Sequence, residues 1–152
     1  IMLEMMADVE RTLILIEAAH KSSLPVWVGF SCRVHAEEGG LVRLLDGPTL
    51  AEGLAAIQDK NVPVVSIMHT EVEYVSACLD VVATHWSGPV GVYAHSGKFV
   101  DPNWIFNDTI SPKDYTAAAV SWLEHGVQLI GGCCGIGLEH MEHLQETIQQ
   151  TA

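Results

Sequence analysis

Two adjacent cysteines, Cys133 and Cys134, sit in the run Ile130-Gly131-Gly132-Cys133-Cys134-Gly135. On a regular strand, neighbouring side chains point to opposite faces. At a strand end flanked by glycines, which tolerate positive φ, the backbone can turn until both sulfurs meet one metal. Two thiolates suit a soft or borderline ion, and zinc is the usual occupant. The bland alternative is a pair of small buried side chains at a tight turn. A phosphate-cradling loop is a third reading, since Gly132, Gly135 and Gly137 precede a helical stretch. That reading needs a further strand bearing an acidic residue about 20 positions on, and none follows in this sequence.

Other candidates are weaker. Cys32-Arg33-Val34-His35 has no zinc-knuckle spacing and reads as loop sequence. His140 and His143, at i and i+3 among glutamates, read as a solvated helix face. His69 and Glu73 at i and i+4 could pair on a helix's first turn, but this is not the His-Glu-x-x-His metalloprotease pattern. Cys78, with Val75, Leu79 and Val82, belongs to a core. Trp104 and Phe106 either line a pocket or anchor a long loop.

The elements that must position these residues alternate. Short apolar runs, rich in Val and Ile, predict strands over Ile1–Met5, Val26–Phe30, Val62–Ile67, Val90–Tyr93 and Val127–Ile130. Their lack of polar alternation fits strands buried on both faces. Helices are expected over Asp8–Ser22, Thr49–Lys60, Glu71–Trp86, Pro112–His125 and Leu138–Gln149. Asp8 and Thr70 are candidate N-caps, Ser111-Pro112 is a cap followed by first-turn proline, and Gly126 is a stop signal. Two long connections, Ser31–Pro48 and Ala94–Ser111, both follow strands. Such loops emerge at the carboxyl ends of parallel strands, where ligands bind. Five βα units fit an open doubly wound sheet or part of an eight-stranded barrel, and periodicity does not choose.

Bulk composition narrows the function. Of 152 residues, 49% are hydrophobic and 17% charged, so the chain folds as one globular domain over residues 1–152. Seven Lys and Arg against nineteen Asp and Glu give a formal charge of -12, which disfavours nucleic acid and anionic membranes. No apolar run is long enough to span a bilayer. Four cysteines without a disulfide framework point to a reducing, cytoplasmic compartment. The sequence opens at Ile1 inside an apolar segment, which reads as a fragment or partial gene product.

Gly131-Gly132-Cys133-Cys134-Gly135 followed by Leu138-Glu139-His140-Met141 resembles the closing "GGCCG…PEHI" signature of the homocysteine S-methyltransferases. Val92-Tyr93-Ala94-His95-Ser96-Gly97 is similar to that family's "YPNSG", and Trp122-Leu123-Glu124-His125-Gly126-Val127 to its passage into the last strand. Ile1–Asp8 is similar to its "ET…" strand, with Glu4 at the family glutamate. The resemblance implies an α/β fold: the C-terminal five βα units of a (β/α)8 TIM-type barrel. It also implies an enzyme that activates homocysteine, or a related small-molecule thiol, on zinc for transfer from a methyl donor. Completion by a missing N-terminal half, or homo-oligomerisation across open strand edges, is then expected.

In the family, zinc is held by the adjacent cysteine pair and a third cysteine in an Asn-Cys step. Here that step reads Met68-His69, so the resemblance implies a metal set of His69, Cys133 and Cys134. Two cysteines and one histidine suit a catalytic zinc with one open position. Glu4 is implied as the carboxylate that holds the substrate ammonium, the alternative being a solvated strand-end group. His95 stands where the family has Asn. It is a candidate substrate contact, a partner behind the ligands, a replacement for His69, or simply polar.

Overall fold

The computed structural model describes the backbone of residues 1–151. Along the chain come β1 (Met2–Met6), α1 (Val9–His20), β2 (Trp27–Phe30), a hairpin of β3 (Cys32–His35) and β4 (Leu41–Leu44), α2 (Leu50–Ile57), β5 (Val64–Glu71) and α3 (Val75–His85). Then follow β6 (Val90–His95), a second hairpin of β7 (Lys98–Val100) and β8 (Asn103–Ile105), α4 (Pro112–Glu124), β9 (Leu129–Ile130) and α5 (Leu138–Thr151). The central sheet has five strands in the order β1-β2-β5-β6-β9, all paired in parallel. Each parallel strand joins beside its predecessor, so the sheet grows in one direction.

The five expected strands and five expected helices are therefore present, with shifted ends. Alternation decides which face each side chain takes. Val28, Phe30, Val65, Ile67, Val92 and Ala94 are fully or nearly fully buried beside Ile16, Leu54, Leu79, Trp122 and Leu144, which come from all five helices. All the helices thus share one face of the sheet. The opposite face presents Met2, Glu4, Trp27, Ser66, Gly91 and Tyr93, which line a cavity instead of a second helical layer. A doubly wound sheet would carry helices on both faces.

Local signals account for most boundaries. Asp8 accepts from the Arg11 N–H at 2.8 Å and starts α1. Thr49 and Glu52 form a reciprocal capping box for α2. Ser111 caps α4 ahead of Pro112, and Gly126 follows its end at φ 83°.

Three expectations are corrected. Both long connections contain antiparallel hairpins, Cys32–His35 with Leu41–Leu44 and Lys98–Val100 with Asn103–Ile105. Cys32-Arg33-Val34-His35 is therefore strand, not loop. β5 runs four residues past Ile67, and α3 begins only at Val75 after a 3-10 turn at Val72–Tyr74. Thr70 caps no helix: it is fully buried, donating to the Met68 carbonyl and accepting from the Cys32 N–H, both at 3.0 Å. That bridge ties the first hairpin to the end of β5.

Replacing Thr70 by valine keeps the shape and strands the buried Cys32 N–H. The loss of stability should be about 1–3 kcal/mol, read as a lower urea midpoint with unchanged slope.

Candidate metal centre

His69, Cys133 and Cys134 converge at the carboxyl ends of β5 and β9. His69 Nδ1 lies 3.4 Å from Cys133 Sγ and 3.7 Å from Cys134 Sγ, and the two sulfurs are 3.8 Å apart. Zn–S bonds of about 2.3 Å and Zn–N bonds of about 2.0–2.1 Å at tetrahedral angles give S···S edges of about 3.8 Å and N···S edges of about 3.5 Å. The spacing of the three donor atoms thus matches one face of a tetrahedral zinc site, and among the described residues no fourth donor joins the group. Among the described residues one other group of donors comes as close together, His35, Glu37 and Glu38 at the turn of the first hairpin.

Backbone geometry explains the convergence. The segment after β9 stays hydrogen-bonded to β6: Gly131 N–H to Val92 O, Cys133 N–H to Ala94 O, and Ser96 N–H to Cys134 O, each at 2.9 Å. The turn closes with the Ile136 N–H donating to Cys133 O at 3.1 Å. Gly135, at φ 76°, supplies the left-handed residue, and a Cβ there would strike the Ser96 carbonyl. Gly131 and Gly132 do not adopt positive φ, so the expected turn lies after the cysteines. Gly132 instead lets Ile136 pack against its backbone.

His69 is swung toward the sulfurs by its own backbone. Its φ is 45°, in the left-handed region, where the β5–β6 register shifts between Met68 and Glu71. Histidine enters this region more readily than most residues, though at a cost. Met5 shows the same feature at φ 58°, beside a register shift in the β1–β2 pairing.

Of the two candidate histidines, His69 shares space with the cysteines and His95 lies behind it. The His95 ring is buried, 4.5 Å from that of His69 between centroids. Its Nε2 is 3.7 Å from Glu71 Oε1, and its Nδ1 is buried without a partner. Trp104, from the second hairpin, meets both rings edge-on at 5.2 and 5.3 Å and stacks on Phe106. Trp104 therefore lines the site, bounding a cavity of about 900 Å³ together with His69, His95, Glu71 and Arg33. Glu4 sits on the helix-free face, near enough for its charge to act on Cys133.

Burial dominates the electrostatics. It pushes the Cys133 thiol up to about 11, opposed by a backbone hydrogen bond from Cys134 and reinforced by the side chains of Cys134 and Glu4. It also holds the His69 imidazole below its ordinary value, assisted by His95. Without a cation, Cys133 is a protonated thiol and His69 a neutral imidazole at pH 7. A bound cation reverses this preference for the thiol.

His140 is a residue the sequence misplaces. It is buried, accepting the Gly137 N–H at 3.0 Å on Nδ1 and donating from Nε2 to Ile110 O at 2.9 Å. His143 is likewise partnered, with Thr116 Oγ1 at 2.9 Å. Together they clamp the start of α5 against α4 and its preceding loop, steadying the cysteine turn. The glutamates around them are the solvated residues.

The sequence model describing homocysteine S-methyltransferase matches residues 1–148. The chain belongs to the homocysteine S-methyltransferase family. Curated relatives include homocysteine S-methyltransferase YbgG of Bacillus subtilis, 27% identical over 120 residues, covering 78% of this chain and 36% of that protein. Selenocysteine Se-methyltransferase of Brassica oleracea is 27% identical over 117 residues, 74% of this chain and 32% of that one. The metallated form of the homocysteine methyltransferase MmuM from Escherichia coli shares the fold, with a TM-score of 0.73 at 21% identity over 96% of this chain and 44% of its own. This family member therefore spans about a third of the length of these curated relatives. Among the described residues no helix is long and apolar enough to cross a membrane.

In metal-free protein, the raised Cys133 value cuts its thiolate fraction at pH 7.5 about a hundredfold below that of an ordinary thiol. Iodoacetamide labelling followed by peptide mass spectrometry should show Cys133 reacting roughly tenfold slower than an ordinary thiol, because its more basic thiolate is also the stronger nucleophile. The rate should rise with pH until about 11.

Proposed function

We propose that this chain is the C-terminal part of a zinc-dependent S-methyltransferase. It carries five βα units of a (β/α)8 barrel, and it activates homocysteine or a related thiol for methyl transfer, the chemistry of methionine synthesis. The observation that carries this reading is the donor triangle of 3.4, 3.7 and 3.8 Å between His69, Cys133 and Cys134, which fits three corners of a zinc tetrahedron.

His69, Cys133 and Cys134 would hold the metal. Zinc at such a site supplies Lewis acidity, lowering the pKa of a thiol at its open position so that the sulfur is a nucleophile at neutral pH. The protein's own residues do the rest. Glu4 holds the substrate ammonium on the helix-free face. His95, buried behind His69 and facing Glu71, fixes the orientation of the His69 ring. Trp104 and Phe106 roof the site and keep water from the reacting sulfur.

Set beside its relatives, a chain of this length needs the remaining barrel units from a preceding segment or from a second copy. The edges of the sheet at β1 and β9 are the places for that completion. A reducing, cytoplasmic setting suits four free cysteines. The Brassica relative's name supports selenols as a second acceptor class.

Protein purified without chelator should carry about one zinc per chain by elemental analysis. Cys133→Ala and Cys134→Ala should abolish it, and His69→Ala should weaken it at least tenfold in competition with a chromophoric chelator. A cobalt-substituted sample should show a tetrahedral visible spectrum that shifts when homocysteine is added. Zinc retained at wild-type affinity in His69→Ala would remove that histidine from the ligand set. A cobalt spectrum indifferent to thiols would sink the thiol-activation reading.

A further inference from the structure

Two left-handed residues flank the site, and one side chain joins them. Met5 follows Glu4 on β1 at φ 58°, inside the register shift between Leu3 and Met6. His69 follows Met68 on β5 at φ 45°, inside the shift between Met68 and Glu71. β2 lies between these two strands. Met68 spans it: its Sδ accepts the Met5 N–H at 3.2 Å. The side chain passes Gly29 of β2, where a Cβ would come within 2.9 Å of Met68 Cγ, so glycine leaves the crossing open.

Ser31, fully buried just past the end of β2, completes the junction. Its hydroxyl lies 3.3 Å from Met5 Sδ and 3.2 Å from Met68 Sδ, and its N–H donates to Met6 O at 3.2 Å. A hydroxyl has one proton, so it serves one sulfur at a time. The Met5 N–H has a single fixed direction, and its bond to Met68 is the one that sets β1 against β5. A non-glycine residue persists in the left-handed region only where its surroundings over-determine it, and the sulfur contacts do that for Met5. Irregular pairing next to a site re-aims the side chains beside it. Here those side chains are Glu4, immediately before Met5, and His69, immediately after Met68. The two ends are not equally firm. Met68 is buried on a strand paired on both sides, whereas half-exposed Met5 lies on the edge strand. Loosening their bond therefore frees the Glu4 end and leaves the His69 end in place.

We propose that Met68 is a positioning residue whose thioether holds Glu4 at a fixed distance from the metal donors. The inference rests on the function proposed above and adds how the two ends of the acceptor are kept in register. An acceptor that bridges Glu4 and the metal feels the bond between Met68 and Met5. A thiol that meets the metal alone does not. Acceptor length is then selected through a main-chain N–H held by a sulfur.

Leucine is close to methionine in volume and lacks the acceptor, so Met68→Leu removes the bond and keeps the packing. In the metal-free chain, amide hydrogen exchange read by NMR should be about fivefold faster at Met5, with Val65 and Ile67 unchanged. In the zinc-loaded chain, calorimetry compares L-homocysteine with propanethiol, which has no ammonium to reach Glu4. Met68→Leu should weaken homocysteine about fivefold and leave propanethiol within about twofold, at unchanged zinc content. In a Glu4→Gln background the same substitution should weaken homocysteine by less than about twofold, because the group it positions is gone. Unchanged exchange at Met5, wild-type affinity for homocysteine, an equal loss for both thiols, or an undiminished loss in the Glu4→Gln background each overturns the proposal. If wild type binds neither thiol, or Glu4→Gln alone leaves homocysteine binding intact, the functional reading fails first and the proposal falls with it.

Discussion

The site depends on the backbone ladder by which the segment after β9 stays attached to β6. β9 is regular for only two residues, Leu129–Ile130. The bonds Gly131 to Val92, Cys133 to Ala94 and Ser96 to Cys134 continue its alignment for four residues more. Both thiols are thereby placed by main-chain atoms, which no side-chain repacking disturbs. The partner histidine is on β5, on the far side of β6, so two strand spacings of about 4.8 Å separate its backbone from the cysteines. An imidazole on a regular strand would point into one face or the other. The left-handed turn at His69 redirects it along the strand ends, and the donor triangle closes.

The same arrangement sets the charge state of the centre. The chain carries a formal charge of -12, yet burial raises the Cys133 thiol and lowers the His69 imidazole, so both lean to their neutral forms in the absence of a cation. Capture of a metal by these donors would be coupled to proton release from thiol, and the chain's net negative charge would favour approach of a cation. Folding need not hold adjacent thiolates together before the ion arrives.

What could be read from the sequence follows from how local each signal is. The five parallel strands were legible because each is a short, largely apolar run between turn signals, and the caps at Asp8 and Ser111 act within three residues. The pairing of His69 with cysteines more than sixty positions away was reached through resemblance to a family; no spacing rule yields it. Thr70 was misread because a threonine before an acidic stretch looks like a cap, while its actual partner, the Cys32 N–H, lies on a distant hairpin. The first hairpin did carry a signal: Val34 and Val42 alternate with Arg33 and Arg43 around the Gly39-Gly40 turn. The second hairpin exposes Phe99, Val100, Ile105 and Phe106, so its pattern lacks the polar-outside rule by which short strands are recognised.

Each hairpin closes upon itself through its own antiparallel pairs and leaves the order of the parallel sheet untouched. The first is held to the frame at Ser31, Cys32 and Asp46 and buries Val42 and Leu44 in the core, whereas the second is anchored where Ile110 meets Ser96 and keeps its apolar side chains exposed. Substitutions at the exposed positions of the second hairpin can reshape the mouth of the larger cavity without shifting the register that holds the cysteines. The architecture thus separates a rigid part, the ladder that places Cys133 and Cys134, from a tunable one, the hairpin that lines the larger cavity. Drift in the hairpins can therefore change what the larger cavity admits while the ladder that places Cys133 and Cys134 stays constant.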